Sequence, residues 1–130
     1  MNVRFNALVP GDDAAAVDTA IRRVVASGWF VLGPEVEAFE AEFAALSGAP
    51  HAVGVGTGTD AITLVLRALD IGPGDEVITS PLSAAYSALA IVMAGARPVF
   101  ADIDAERLTI DPSAVEAAVT PRTRAIVPVH

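Results

Sequence analysis

Lysine and cysteine are both absent from this chain of 130 residues. Without cysteine, the chain can form no disulfide and no thiolate metal site. Without lysine, it has no P-loop, because that motif uses a lysine to contact nucleotide phosphates. Eight arginines stand against sixteen acidic residues, which gives a net charge of −8. Such a chain carries no general basic field for nucleic acid or for an anionic membrane surface.

Long apolar runs are missing as well. The longest apolar stretch, around residues 88–96, is too short to span a bilayer, and residues 1–4 carry no signal-peptide pattern. Hydrophobic residues nevertheless make up 53% of the chain, which is enough for the core of one domain. We therefore expect a cytoplasmic protein without metal ligands or disulfides.

Two helical patterns precede a regular alternation of strands and helices. The first helical pattern follows Asp12 and Asp13 and stops at Gly28, and the second begins at Pro34 and stops at Gly48. The predicted strands then cover residues 51–55, 76–79, 98–101 and 125–129, and the predicted helices cover residues 59–69, 83–94 and 111–119. This alternation predicts an α/β fold with a parallel sheet. We divide the chain into a helical segment, residues 1–50, and an α/β part, residues 51–130.

A glycine-rich turn, GTGTDA at residues 56–61, joins the first predicted strand to the helix that follows it. Glycines let the backbone turn sharply and approach a ligand closely. The first amides of a helix have no partner within the helix and carry positive potential, so a phosphate group fits there. Thr57 and Thr59 can add hydroxyl donors. Thr59 could equally be a plain N-cap. The alternative to a phosphate site is a tight strand-to-helix turn with capping threonines and no ligand.

Parallel sheets bind their ligands beyond the carboxyl ends of the strands. Residues 56–60, 80–86 and 102–104 each follow a predicted strand. The topology therefore predicts that these three segments converge at one edge of the sheet.

Other chemistries fit the same region less well. The turn matches the dinucleotide pattern G-x-G-x-x-A, but the acids Asp75 and Glu76 begin the next strand, whereas a ribose-binding acid belongs at its end. Asp102 and Asp104 could hold a divalent metal, yet no further acidic cluster accompanies them, and solvated loop acids are the favoured interpretation. His51 and His130 are isolated, which favours a structural or terminal role over that of a base.

The order of several short motifs resembles the N-terminal part of the DegT/DnrJ/EryC1/StrS family of pyridoxal-phosphate (PLP)-dependent sugar aminotransferases. The matching segments are residues 27–36 (SGWFVLGPEV), 56–61 (GTGTDA), 72–79 (GPGDEVIT), 94–100 (AGARPVF), 102–104 (DID), 110–112 (IDP), 120–123 (TPRT) and 128–130 (PVH). They cover nearly the whole chain in the order that the family has.

This resemblance implies the N-terminal part of a PLP-transferase large domain (aspartate aminotransferase-like, fold type I), with a mainly parallel sheet and flanking helices. Residues 1–50 would then hold the link to the dimer contacts and active site, near Trp29 to Gly33. Residues 51–130 would be the first half of the PLP-binding domain. The resemblance also implies a homodimer, nucleotide-linked keto-sugars as substrates, and glutamate or another amino acid as the amino donor.

The resemblance further implies which residues bind the cofactor. In the family, the turn matching Gly58 and Thr59 binds the phosphate of PLP, and Thr57 lies beside it. An aromatic residue that stacks on the pyridine ring aligns with Ala85, whereas the aromatic residue here is Tyr86, about 100° further round a helix. We predict cofactor binding by Thr57, Gly58, Thr59, Ala85 and Tyr86, and we assign no catalytic residue and no metal ligand.

The family places two further cofactor groups beyond the position of His130. These are the aspartate that pairs with the pyridine nitrogen and the lysine that attaches PLP covalently. A chain without lysine cannot make that attachment, and arginine cannot replace lysine because it stays protonated. We therefore expect an N-terminal fragment of a nucleotide-sugar aminotransferase that is inactive by itself.

Two interpretations of a different class stay open. One is a non-catalytic α/β module that binds a phosphate or nucleotide through the same turn. The other is a domain that pairs with another chain, because half a sheet leaves a strand edge uncovered near residues 125–129. The second interpretation predicts self-association or poor folding of the isolated chain.

Overall fold

The computed structural model of the chain describes residues 11–129. The predictions made for residues 1–4 and for His130 lie outside this range. The chain divides into two compact units, one ending at Gly54 and the other beginning at Val55.

The first unit contains helices α1 (Ala14–Ser27) and α2 (Pro34–Ser47). Both helices stop at the predicted glycines, where the backbone is left-handed, with φ of 69° at Gly28 and 65° at Gly48. A side chain at these positions would be strained, so glycine is the residue that ends a helix in this way. Pro34 opens α2 as predicted, because its missing N–H has no partner in the first turn of a helix.

Side-chain contacts fold the link between α1 and α2. Arg23 donates two hydrogen bonds to the Glu35 carboxylate, at 2.7 and 2.9 Å. The indole N–H of Trp29 donates to the carbonyl of Val31 at 2.9 Å. A Cβ at Gly33 would lie 3.0 Å from the Trp29 ring, so the close approach of the ring requires glycine.

Within residues 55–129, the second unit has three helices, α3 (Gly58–Ala68), α4 (Tyr86–Ala94) and α5 (Pro112–Ala118), and three strands, β1 (Glu76–Thr79), β2 (Arg97–Phe100) and β3 (Thr123–Val127). The strand order is β2-β1-β3, and β1 pairs in parallel with both neighbours. The prediction of a parallel α/β fold is confirmed. Each residue of the central strand is buried.

The predicted strand at residues 51–55 is wrong, because this segment forms no strand in the described structure. The amide of Gly54 donates to Glu40 Oε1 at 2.7 Å instead of to a neighbouring strand. Glycines at 54 and 56 also weaken a strand, since they have no side chain to pack. The prediction of α4 was too long, because the helix begins at Tyr86 and not at residue 83.

The core of the second unit lies between the sheet and helices α3 and α4. It is built from buried aliphatic side chains: Leu66, Ile71, Val77, Ile91, Ala94 and Ala96. Among the residues described, no helix has the length and apolarity that crossing a bilayer requires.

Candidate functional site

The glycine-rich turn leads directly into α3, and Thr57 is the N-cap of that helix. The Thr57 hydroxyl accepts a hydrogen bond from the Asp60 amide at 3.0 Å and donates to the Asp60 carboxylate at 2.8 Å. The Ala61 amide donates to the Thr57 carbonyl at 3.0 Å. The prediction that Thr59 could be the N-cap is therefore wrong. Thr59 lies inside the first turn of the helix. The Thr57 hydroxyl stabilises that turn through its hydrogen bonds with Asp60.

This cap leaves the first two amides of α3 without a partner. Within the described part of the chain, no hydrogen bond uses the amide of Gly58, the amide of Thr59 or the Thr59 hydroxyl. A Cβ built on Gly58 would meet no atom within 4 Å, so there is open space beside these donors. Three free donors at the positive end of a helix dipole can bind an anion.

Contacts between α3 and α4 show that the two helices run in the same direction. Thr63 of α3 donates to the carbonyl of Ala90, at 3.2 Å, and Arg67, one turn later, donates to the carbonyl of Met93, at 2.7 Å. Thr59 and Tyr86 lie one turn before the first of these pairs. Residues that face a neighbouring helix recur every three or four positions. The N-termini of α3 and α4 therefore lie side by side.

Both helix starts therefore lie at the carboxyl edge of the sheet, because α4 begins where the chain has left the end of β1. The predicted cofactor residues Ala85 and Tyr86 are respectively the N-cap and the first residue of α4. Tyr86 is 64% exposed, so its ring is free to contact a ligand. Ala85 carries no ring, and whether Tyr86 takes over the stacking role stays a prediction.

Asp102 and Asp104 follow β2, which brings them to the same edge of the parallel sheet. Each carboxylate accepts hydrogen bonds from nearby backbone: Asp102 from the Ile103 amide at 2.8 Å, and Asp104 from the Glu106 and Arg107 amides at 2.9 and 2.8 Å. Residues 11–129 contain no group of three or more acidic or histidine residues arranged for a metal ion. These contacts give the two acids a role in shaping the loop.

A buried carboxylate that was not predicted lies at the opposite, amino edge of the sheet. Glu76, the first residue of β1, is 1% exposed and pairs with Arg97 and Arg122 at 2.6 and 2.7 Å. Hydrogen bonds from Arg97, Thr120 and Arg122 lower the pKa of Glu76 to about 2, because they stabilise its ionised form. The signal in the sequence was an acid at the start of a strand whose parallel neighbour starts with arginine.

The matching protein-family model is that of the DegT/DnrJ/EryC1/StrS aminotransferase family, and it covers residues 12–130. The chain belongs to this family. The family resemblance stated from the sequence motifs is confirmed.

Individual relatives agree with this assignment. The chain is 57% identical over 110 residues to the spore coat polysaccharide biosynthesis protein SpsC of Bacillus subtilis, an alignment that covers 85% of the chain and 28% of SpsC. It is 53% identical over 116 residues to the dTDP-3-amino-3,4,6-trideoxy-alpha-D-glucose transaminase of Streptomyces venezuelae, covering 89% of the chain and 31% of that enzyme. The chain thus spans about 30% of the length of the curated relatives it matches.

Solved structures show the same fold. The PLP form of Spr1654 from Streptococcus pneumoniae aligns with a TM-score of 0.86 and 33% identity, covering 97% of this chain and 31% of that protein. The second unit, with its small parallel sheet and flanking helices, is part of the fold type I domain of PLP-dependent aminotransferases, as predicted. The prediction of PLP as the cofactor is confirmed for the family.

The start of α3 fits the phosphate group of PLP. It offers the amides of Gly58 and Thr59, the Thr59 hydroxyl and open space at Gly58. Asp60 at this turn is negatively charged, as the phosphate is. Its carboxylate already accepts a hydrogen bond from the Thr57 hydroxyl at 2.8 Å. The turn thus combines an N-cap that holds the backbone with donors that are left for an anion.

Proposed function

We propose that this chain supplies the phosphate-binding part of a PLP-dependent aminotransferase that acts on nucleotide-linked keto-sugars. The observation that carries the proposal is that the amides of Gly58 and Thr59 have no hydrogen-bond partner within residues 11–129. The turn that contains them lies within the part of the chain that matches the aminotransferase family. The activity of the S. venezuelae relative, a dTDP-amino-sugar transaminase, supports the substrate class.

The residues of the turn have different roles in this proposal. The Gly58 and Thr59 amides and the Thr59 hydroxyl would bind the phosphate, while Thr57 holds the helix start through Asp60. Tyr86, exposed at the neighbouring helix start, would contact the ring of the cofactor. When bound, PLP supplies an electron-withdrawing ring that carries the amino group from donor to acceptor.

We expect the 130-residue chain to bind PLP reversibly but to have no aminotransferase activity of its own. It contains no lysine, so no lysine amine within these residues can attach PLP or move the substrate proton. A glutamate-dependent transamination assay with a nucleotide keto-sugar measures this directly. Clear turnover by the purified chain would contradict the expectation.

Equilibrium dialysis against PLP tests the binding part of the proposal. Pyridoxal, which lacks the phosphate, is the matched control ligand, and a uridine or thymidine monophosphate tests the alternative of a nucleotide-binding module. Saturable binding of PLP with much weaker binding of pyridoxal supports the proposal. Binding of the nucleotide in preference to PLP would favour the non-catalytic module instead.

The homodimer expected from the sequence belongs to this proposal. Its support lies in the first unit, where the apolar side chains of Trp29, Phe30, Val31 and Leu32 are all more than half exposed. Light scattering coupled to gel filtration measures the mass in solution, and a monomer at high micromolar concentration would count against the dimer. The cytoplasmic location stays a prediction.

A further inference from the structure

The buried carboxylate of Glu76 connects the central strand to both of its neighbours. Its Oε1 accepts from Arg97 of β2 at 2.6 Å and from Arg122 at 2.7 Å, and its Oε2 accepts from the Thr120 hydroxyl at 2.7 Å. The Glu76 amide also donates to the carbonyl of Arg122 at 2.9 Å. Thr120 and Arg122 belong to the turn that leads into β3. One side chain thus contacts the start of β2 and the turn that leads into β3.

These contacts lie beside an irregularity in the pairing of β1 with β3. Glu76 pairs with Thr123, but Val77 pairs with Ala125, so the chain passes over Arg124. The Arg124 side chain turns toward Asp75, with 4.0 Å between Nη1 and Oδ1. A bulge of this kind changes the pairing of every residue that follows it.

Packing fixes which face of β3 meets the core, through Ala125 and Val127, but it does not fix the register against a shift by two residues. The strand reads Thr-Arg-Ala-Ile-Val, and its residues alternate between half-buried and exposed positions, with none fully buried. A shift by two residues would keep this alternation, because the side chains of a strand repeat with a period of two. The directional hydrogen bonds of Glu76 would be lost in such a shift.

We propose that Glu76 fixes the register of the sheet: its carboxylate selects which residues of β3 pair with β1, and acid loosens β3 more than β2, because two of the three side chains that donate to the carboxylate precede β3 and one belongs to β2. The register matters at the far edge, because the Thr79 hydroxyl at the end of β1 donates to the Val127 carbonyl at 2.9 Å. The register therefore determines which residue ends β3 at the carboxyl edge of the sheet, the edge at which α3 begins.

The direction of the acid effect follows from the charges around Glu76. Two cations face it, Arg97 from β2 and Arg122 from the turn before β3, while the nearby Asp75 is held by the Gly72 amide at 3.0 Å and lies near Arg124. The arginines stay protonated throughout. The pKa of Glu76 falls from its ordinary 4.5 to about 2 in the folded chain. The stabilisation by Glu76 is thus complete above pH 4.5 and is lost as the pH falls toward 2.

Amide hydrogen exchange of the full 130-residue chain tests the proposal, with residues 125–127 as the reporter and β2 as the internal reference. In the wild type, we expect β3 protection to fall further than β2 protection between pH 4.5 and pH 2.5, since two of the three side chains that donate to Glu76 precede β3 and one belongs to β2. In Glu76→Gln, β3 protection should already be lower at pH 6, by about tenfold or more, and should not change further in this window.

Two more variants make the result decisive. Thr120→Val removes the hydrogen bond to Glu76 and the one that the Thr120 hydroxyl accepts from the Arg122 amide at 3.1 Å, and it leaves all charges in place, so an intermediate loss that is larger in β3 than in β2 is expected even if Glu76→Gln folds poorly. Glu116→Gln, which neutralises an exposed acid of α5, should follow the wild type. Wild-type protection of β3 in Glu76→Gln and Thr120→Val would overturn the proposal, and so would an equal loss in β2 and β3.

Discussion

Two threonines at the start of α3, Thr57 and Thr59, should lose different properties when the same substitution is made at each. The hydroxyl of Thr57 caps the helix through two contacts with Asp60, at 2.8 and 3.0 Å. The hydroxyl of Thr59 has no hydrogen-bond partner within residues 11–129. Replacing each by valine removes the hydroxyl and keeps the shape of the side chain. Thr57→Val should therefore lower stability, whereas Thr59→Val should lower the affinity for PLP.

The expected magnitudes follow from these contacts. Losing a threonine N-cap costs about 0.5–2 kcal/mol of folding free energy. Thr59→Val breaks no hydrogen bond within residues 11–129, so its stability should stay within about 0.5 kcal/mol of the wild type. A hydrogen bond to a charged phosphate contributes about 1.5–3 kcal/mol to binding, which makes the Kd for PLP roughly 10- to 150-fold weaker in Thr59→Val.

Urea unfolding followed by circular dichroism measures the first quantity, and equilibrium dialysis with PLP measures the second. Thr59→Ser, which keeps the hydroxyl, should retain most of the affinity and serves as the control. An unchanged PLP affinity in Thr59→Val would refute the assignment of this hydroxyl to the phosphate. A loss of stability as large as that of Thr57→Val would show that Thr59 has a structural role instead.

Four further substitutions have definite expected outcomes. Ile78→Ala removes a side chain that is 0% exposed in the central strand, and urea unfolding should show a loss of about 2–5 kcal/mol, whereas Val92→Ala at a 56% exposed site should cost about 0.5 kcal/mol or less. Gly95→Ala should cost about 1–2 kcal/mol, because φ is 93° and the new Cβ would lie 3.2 Å from Pro73; a stability equal to the wild type would contradict the strained turn. Tyr86→Ala should weaken PLP binding about tenfold in dialysis with little change in unfolding, since the ring is exposed, and an unchanged Kd would exclude Tyr86 from the cofactor site.

Local rules predicted the elements whose ends depend on single residues. Gly28 and Gly48 end their helices because a left-handed residue closes a helix, and that requirement can be read from the sequence. The strand at residues 76–79 was predicted with its correct bounds, since three of its four residues are β-branched and turns flank it. The motif order also identified the family, which the protein-family model confirms.

The errors concern features that depend on partners distant in the sequence. Residues 51–55 have the composition of a strand, but a strand needs a paired neighbour, and Gly54 donates to Glu40 instead. The cluster around Glu76 was missed because its partners, Arg97 and Arg122, come from separate segments that only the parallel pairing of the strands brings together. The N-cap is Thr57 and not Thr59. This difference of two residues decides which hydroxyl is left for a ligand.

The most direct test of the central claim is an amide NMR titration of the 15N-labelled chain with PLP. If the start of α3 binds the phosphate, the amide signals of Gly58 and Thr59 shift saturably with PLP and move far less with pyridoxal at the same concentration. Shifts of equal size with both compounds, or a saturable PLP site that leaves these two signals in place, would contradict the account.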